Sequence, residues 1–140
     1  MHAVRPVDAH ALAEQFANRT LPKACWTHEA HLVVCWITLQ RHPRDRAVEL
    51  LRDQIRSYND ATGTANTPTS GYHETLTEYY VRAVDAAAVT GVLELVRHPW
   101  CSREAPLRHW TRERLFSVEA RRAWVEPDLE PFSWTVTRIA

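Results

Sequence analysis

Three histidines stand at the starts of two predicted helices, and they are the strongest chemical signal in the sequence. His28 and His31 belong to the run WTHEAHL (residues 26–32), and His73 belongs to GYHET (residues 71–75). Imidazole is the commonest metal ligand in proteins and the usual acid–base group near neutral pH. The sequence therefore predicts a chemical site formed by these three side chains.

A divalent transition metal, zinc or iron, is one predicted occupant of such a site. Two histidines three residues apart reach a metal from one helix face, and a histidine of another helix completes the three protein ligands of a catalytic ion. His28, His31 and His73 are the predicted metal ligands. Glu29 and Glu74 are the predicted carboxylates, each as a further ligand or as the general base.

The same residues also allow a site without metal. The histidines would then act as general acid and base or satisfy a polar ligand, while Tyr72, Tyr79 or Tyr80 donates a hydrogen bond to an oxyanion. Tyr80 is the tyrosine that we assign to the predicted catalytic set.

Two functions are consistent with this site. The first is a metal-dependent enzyme that acts on a small polar molecule. The second is a non-enzymatic helical module that binds a small molecule or a partner protein in a pocket of histidine and tyrosine. The residues leave open whether the chain is an enzyme, and they identify no substrate.

Apolar residues recur with a helical period over most of the chain and predict four main helices, at residues 8–19, 27–41, 44–61 and 71–97. Asp8 is the predicted N-cap of the first helix, and Thr69 or Ser70 that of the fourth. The second helix ends before His42, because a residue that precedes a proline avoids the helical region. The fourth helix is expected to kink near Gly91.

The predicted faces of these helices place the histidines together. The second helix is apolar on nearly all sides, which is typical of a buried, central helix. His28 and His31 lie about 60° apart on it. His73 begins the apolar face of the fourth helix, so one pocket near the two helix starts accommodates all three histidines.

The remaining third of the chain has a looser pattern. Thr111 or Ser117 is the predicted N-cap of short helices that run through Leu115 and Ala123. Residues 132–139 alternate between apolar and polar, which predicts a short strand or an extended packed arm. The expected fold is a single all-α domain over residues 1–140, with about four main helices, short C-terminal helices and an extended tail.

Composition argues against several classes of protein. The formal net charge is zero, so no overall field attracts nucleic acid or an anionic membrane. The longest apolar run has six residues, far short of the roughly 20 that a membrane span needs. The N-terminal residues lack the apolar core of a signal peptide, and the three cysteines form no C-x-x-C pair. We therefore expect a cytoplasmic protein with reduced cysteines, and leave a homodimer open.

Arginine is concentrated between residues 97 and 122, a segment that contains seven arginines and three acidic residues. Such a segment holds an anionic ligand or forms a solvated surface. We interpret it as a solvated surface, partly neutralised by Glu126, Asp128 and Glu130.

Several runs resemble a family of small bacterial helical proteins of unknown function. The WTHxxHL signature matches residues 26–32, GYHET matches residues 71–75, and further similar runs extend the resemblance over roughly residues 16–131. This resemblance implies a bacterial source and no particular activity. The three histidines are also loosely similar to those of DinB-like four-helix proteins, which hold a metal with three histidines from different helices, although the H-x-x-x-H spacing of that family is missing here.

Overall fold

The computed structural model describes residues 6–135, and in this region four long helices carry the fold: α1 (Pro6–Ala17), α2 (His28–Arg41), α3 (Arg44–Thr62) and α4 (Glu74–Ala87). The same region holds the shorter helices α5 (Val92–Arg97), α6 (Arg112–Leu115) and α7 (Val118–Arg122). It contains no β-strand, so the predicted all-α fold is confirmed. Nor does any helix within residues 6–135 combine the length and the hydrophobicity needed to cross a bilayer.

Local capping explains where α2 and α3 begin and end. The Thr27 hydroxyl oxygen accepts a hydrogen bond from the Ala30 backbone N–H at 3.1 Å, which makes Thr27 the N-cap of α2. His42 is extended because Pro43 follows it, and α2 ends where the sequence predicts. α3 ends at Gly63, whose φ of 82° is the left-handed conformation that closes many helices.

α2 lies at the centre of the bundle. It packs against α1 and α4, with α3 and α5 also in contact. Six of its residues are buried on several sides of the helix: Ala30, Leu32, Val33, Val34, Cys35 and Ile37. The prediction of a central helix is confirmed, and the burial of these side chains supplies much of the hydrophobic stabilisation of the fold.

The C-terminal third packs against α4 through aromatic rings. Tyr79 of α4 contacts the rings of Trp110, Phe132 and Trp134, at centroid distances between 5.7 and 5.9 Å. Trp110 is fully buried, and its indole N–H donates to the backbone carbonyl of Val125 at 3.0 Å. Aromatic burial therefore compensates for the short helices of this segment.

The predicted start of the fourth helix is wrong by three residues. Gly71 has a φ of 79°, and His73 is extended, so α4 begins at Glu74. His73 itself, rather than Thr69 or Ser70, is the N-cap, because its imidazole nitrogen accepts a backbone hydrogen bond from the first turn. A histidine expected within the helix thus lies just before it.

The predicted end of the fourth helix is also wrong. Instead of one kinked helix to residue 97, α4 stops at Ala87, and α5 begins at Val92. Ala88 has a φ of 50° and reverses the direction of the chain. This break lets Val92 and Leu95, both almost fully buried, pack in the same core as α2.

The expectations for the two ends of the chain need smaller corrections. α1 begins at Pro6, a residue favoured at the first helical position, so Asp8 lies inside the first turn rather than at the N-cap. α1 also ends at Ala17, two residues before the predicted end at residue 19. The predicted strand or arm at residues 132–139 begins instead as a 3-10 turn at Ser133–Thr135, and residues 136–139 lie outside the described part of the chain.

The predicted caps of the short helices are confirmed. The Thr111 hydroxyl accepts the Arg114 backbone N–H at the start of α6, and the Ser117 hydroxyl accepts the Ala120 N–H at the start of α7. Each cap satisfies one of the backbone donors that a helix start leaves unpaired.

Gly71 lies in a closely packed loop that leads into α4. A Cβ atom at this position would lie 2.4 Å from the Ala65 carbonyl oxygen and 2.8 Å from the Asn66 Cα. Gly63 has a similar positive φ, but nothing lies within 4 Å of its Cβ position. The two glycines thus share the backbone conformation and differ in the space around them.

We expect Gly71→Ala to lower the free energy of unfolding by about 3 kcal/mol, because backbone strain and overpacking add together. Gly63→Ala is the matched control and should cost about 1 kcal/mol, since it introduces backbone strain alone. Urea unfolding of both variants measures the difference. Equal losses would contradict the close packing around Gly71.

Candidate functional site

His28, His31 and His73 line one cavity of about 650 Å³. Its wall is formed by the start of α2, one face of α3, the loop and first turns of α4, and the segment between residues 103 and 116. Most of the wall is apolar, and its larger apolar side chains are Trp26, Leu32, Leu51, Ile55, Leu76, Leu107, Leu115 and Phe116. The structure therefore brings the three predicted histidines to a single space large enough for a small molecule.

His31 is held in one orientation by two neighbours. Its Nδ1 donates to the Thr27 carbonyl oxygen at 2.7 Å, and its ring stacks on the Trp26 indole at a centroid distance of 3.7 Å. Because a carbonyl oxygen only accepts, the proton of the neutral ring is on Nδ1 and the lone pair is on Nε2. In the described residues no partner is found for Nε2, which leaves it as an acceptor for a ligand.

The protein around His31 favours its neutral form. Desolvation lowers the pKa of the imidazole below its ordinary value of 6.5, although the hydrogen bond to Thr27 acts in the opposite direction. The charges of His28 and Arg103 lower it further. The lowering effects outweigh the hydrogen bond to Thr27, so His31 is neutral at pH 7 although its side chain is exposed where it lines the cavity.

His28 is oriented by a backbone carbonyl that lies 73 residues away along the chain. Its Nε2 donates to the Cys101 carbonyl oxygen at 2.8 Å, so the lone pair of the neutral ring is on Nδ1. No group within residues 6–135 donates to Nδ1, and no polar atom of the half-buried or buried side chains in this region is both buried and unpaired. Nδ1 of His28 is therefore accessible, and the cavity holds a second imidazole acceptor.

His73 differs from the other two histidines because both of its ring nitrogens are occupied. Nε2 donates to the Leu115 carbonyl oxygen at 2.7 Å, while Nδ1 accepts the Leu76 backbone N–H at 3.2 Å. Desolvation lowers the pKa of this buried ring and keeps it neutral. His73 caps α4 and fastens the end of α6 to it, and it has no lone pair left for a ligand.

The predicted metal site has limited support in this geometry. Within residues 6–135 no group of three or more histidine, cysteine, aspartate or glutamate side chains is arranged to hold a metal ion. His73 would have to give up a hydrogen bond to bind one, which leaves at most His28 and His31 from the predicted set. Zinc and iron sites in proteins use at least three protein ligands. A metal at this cavity therefore stays a prediction.

The two predicted carboxylates lie outside the cavity wall. Glu74 is buried, and both of its oxygens accept hydrogen bonds from the Arg52 guanidinium at 2.8 and 2.9 Å. The Tyr72 hydroxyl adds a third hydrogen bond at 2.7 Å. Glu29 is half-buried at the start of α2 and does not line the cavity. Neither predicted carboxylate thus lines the cavity with the histidines.

Tyr80 does line the cavity, beside His28. The two rings meet edge to face at 5.2 Å, and the Tyr80 hydroxyl donates to the Ser102 carbonyl oxygen at 2.7 Å. Burial raises the pKa of this tyrosine, so the hydroxyl is protonated. Its proton is engaged by the backbone, and what the hydroxyl offers the cavity is a second acceptor position.

Arg103 is a cavity residue that the sequence interpretation missed. Its side chain is exposed and lines the cavity, and its charge acts on both His31 and Tyr80. The excess of arginine between residues 97 and 122 is the feature of the sequence that indicates a basic residue at the site. The interpretation of the whole segment as solvated surface leaves out the position of Arg103 at the cavity. Sequence alone does not distinguish Arg103 from its neighbours, since the segment has no regular helical period.

Comparison with protein-family models, with curated proteins and with solved structures gives no match to this chain. The resemblance to small bacterial helical proteins accordingly stays a prediction. The cavity and its polar groups are therefore the basis for a functional assignment.

The tautomers of the three histidines can be measured directly. In two-dimensional ¹H–¹⁵N spectra at pH 7 we expect neutral rings in His31, with the proton on Nδ1, and in His73, with the proton on Nε2, and we expect Nε2 of His28 to carry a proton. His31 and His73 should both titrate below pH 6.5, because burial opposes their protonation. His28→Gln and His31→Gln assign the signals. A proton on Nε2 of His31 would contradict the proposed acceptor.

The pair between Arg52 and Glu74 should contribute to stability. Burial alone would raise the pKa of Glu74, but the hydrogen bonds from Arg52 and Tyr72 and the charges of Arg52 and Arg56 outweigh it and lower the pKa. We expect Glu74→Gln to lower the free energy of unfolding by about 2 kcal/mol at pH 7, because it leaves Arg52 without its charged partner.

The free energy of unfolding that is lost in Glu74→Gln depends on pH in a defined direction. Because the pKa of folded Glu74 lies below the ordinary value of 4.5, the contribution is complete above that pH and disappears as the pH falls through the folded pKa. Glu78→Gln is the control, since Glu78 pairs with Arg82 on a more exposed surface and should cost less than about 1 kcal/mol. A loss that does not change down to pH 3 would contradict the assignment.

Proposed function

We propose that this chain binds a small organic molecule in the histidine cavity, with an apolar body against the wall and a polar end on His28 and His31. The cavity volume of about 650 Å³ lies within the range of roughly 300–1,000 Å³ that such sites occupy. Its wall is mainly apolar with a few polar groups, which is the usual composition of a small-molecule site.

One observation carries the proposal: two neighbouring imidazoles present free acceptor nitrogens at the same cavity. Backbone carbonyls bind the N–H of each ring, so the free nitrogen has a lone pair in both His28 and His31. A ligand that carries an O–H or N–H group satisfies these acceptors. A fully apolar molecule would leave them unpaired, which costs free energy in a site closed by a ligand.

The metal-dependent enzyme stays a second prediction with less support. It requires three ligands, and the third predicted one, His73, is engaged at both ring nitrogens. The binding proposal requires no such rearrangement. It corresponds to the non-enzymatic module that the sequence also predicts.

Calorimetry with 2-naphthol tests the proposal, since this probe has an apolar body and one O–H donor. We expect it to bind, and we expect His31→Phe to weaken binding by roughly three- to tenfold, because phenylalanine keeps the stacking on Trp26 but lacks the acceptor nitrogen. 2-Methoxynaphthalene has no donor, so it should bind His31→Phe at least as tightly as the unmodified protein, because the variant has no acceptor nitrogen to leave unpaired. His42→Gln, at the opposite end of α2, is the control and should change neither affinity.

A second variant tests whether the probe occupies this cavity. Thr64 is half-buried at the wall, and its side chain makes no hydrogen bond in the described structure, so Thr64→Trp places a large ring at the cavity. Unchanged binding of 2-naphthol to this variant would contradict the proposed location. Near-stoichiometric transition metal in the purified protein, lost in His31→Phe, would favour the metal site instead.

A further inference from the structure

Arg103 is a cation at an apolar wall without a partner of opposite charge. The ion pairs within residues 6–135 join Arg46 to Glu49, Arg52 to Glu74, and Arg82 to Glu78, and none includes Arg103. Neither does the Arg103 side chain form a hydrogen bond in this region. An unpaired guanidinium at a cavity that accepts small molecules has its five N–H donors free for an anion.

The charged side chain on the cavity wall is basic. The wall in the described structure includes Arg103 and three histidines but no aspartate or glutamate. Two further arginines lie close behind it: Arg121 donates to the Gly71 and Tyr72 carbonyl oxygens, and the Arg56 guanidinium lies 5.0 Å from the centroid of the Tyr72 ring. The charged side chain of the wall is therefore a cation with two further cations behind it, although the whole chain is neutral.

The nearby carboxylates lie outside the cavity wall. The carboxylate of Glu74 accepts hydrogen bonds from Arg52 and Tyr72. The charges of Glu104 and Asp85 act on Tyr80 and Cys35 from outside the cavity wall, and neither acid pairs with an arginine in the described residues. These are the acidic groups that act on the titratable side chains of the wall, and all three lie outside it.

We infer that the molecule bound in this cavity is an apolar acid, with its carboxylate on the Arg103 guanidinium and an N–H or O–H group on His28 and His31. The inference rests on the proposed binding function and adds the chemical class of the ligand. The two polar ends are assigned by donor and acceptor type. Arg103 has donors alone and matches a carboxylate, whereas the free nitrogens of the neutral imidazoles are acceptors and match an N–H or O–H group.

Closure by the ligand would strengthen the ion pair. An apolar body excludes water from the wall, and a charge pair is stronger where the local dielectric constant is low. Arginine also binds a carboxylate through two parallel hydrogen bonds, which fixes the position of the ligand as well as its charge. The apolar wall and Arg103 thus act on the same molecule.

Two probes that differ in charge separate this inference from the proposed function. Indole-3-acetate and indole-3-ethanol share an apolar ring and an N–H donor, and only the first carries a carboxylate. By calorimetry at pH 7 we expect the acid to bind about tenfold more tightly than the alcohol. Arg103→Gln should remove this difference, because it weakens binding of the acid far more than binding of the alcohol. Added salt should weaken the binding of indole-3-acetate but not that of indole-3-ethanol.

Arg112→Gln is the matched control, since Arg112 is exposed in the same arginine-rich segment and does not line the cavity. It should keep the tenfold preference for the acid. Equal affinities of the two probes for the unmodified protein, or a preference that persists in Arg103→Gln, would overturn the inference while the alcohol still shows that the cavity binds small molecules. Failure of both probes to bind would overturn the inference and the proposed function together.

Discussion

The cavity depends on hydrogen bonds from imidazole and hydroxyl side chains to backbone carbonyls of the irregular C-terminal third. His28 donates to the Cys101 carbonyl, His73 to the Leu115 carbonyl, and Tyr80 to the Ser102 carbonyl. A segment with short helices has many backbone acceptors without helical partners, and buried acceptors must be satisfied. Side chains of α2 and α4 supply the missing donors, and they hold the segment across the starts of both helices.

This constraint also determines the chemistry of the histidines. A ring whose N–H is bound to a carbonyl has its tautomer fixed, so the other nitrogen becomes a defined acceptor. His28 and His31 follow this rule and keep one free nitrogen each, whereas His73 also caps α4 and keeps none. Histidines that stabilise the fold therefore also prepare the polar end of the cavity, and the structural and functional interpretations of these residues are compatible.

Charge at the cavity follows from the same packing. The segment that covers the helix starts is rich in arginine, and it brings Arg103 to the cavity wall and Arg121 behind it. The carboxylate that could neutralise them, Glu74, is held in a separate pair with Arg52. A chain with no net charge thus places an arginine and no carboxylate on the described cavity wall, because folding brings the acidic and the basic side chains to different places.

Local period and capping are enough to predict the helical fold, the central position of α2 and three histidines near the starts of two helices. They do not predict that α4 stops at Ala87, that His73 is a cap with no free nitrogen, that Glu74 is bound by Arg52, or that Arg103 lines the cavity. The physical reason is separation along the chain. Helical period and capping act over a few residues. His28 binds the Cys101 carbonyl, which is 73 residues away along the chain, and His73 binds the Leu115 carbonyl, which is 42 residues away.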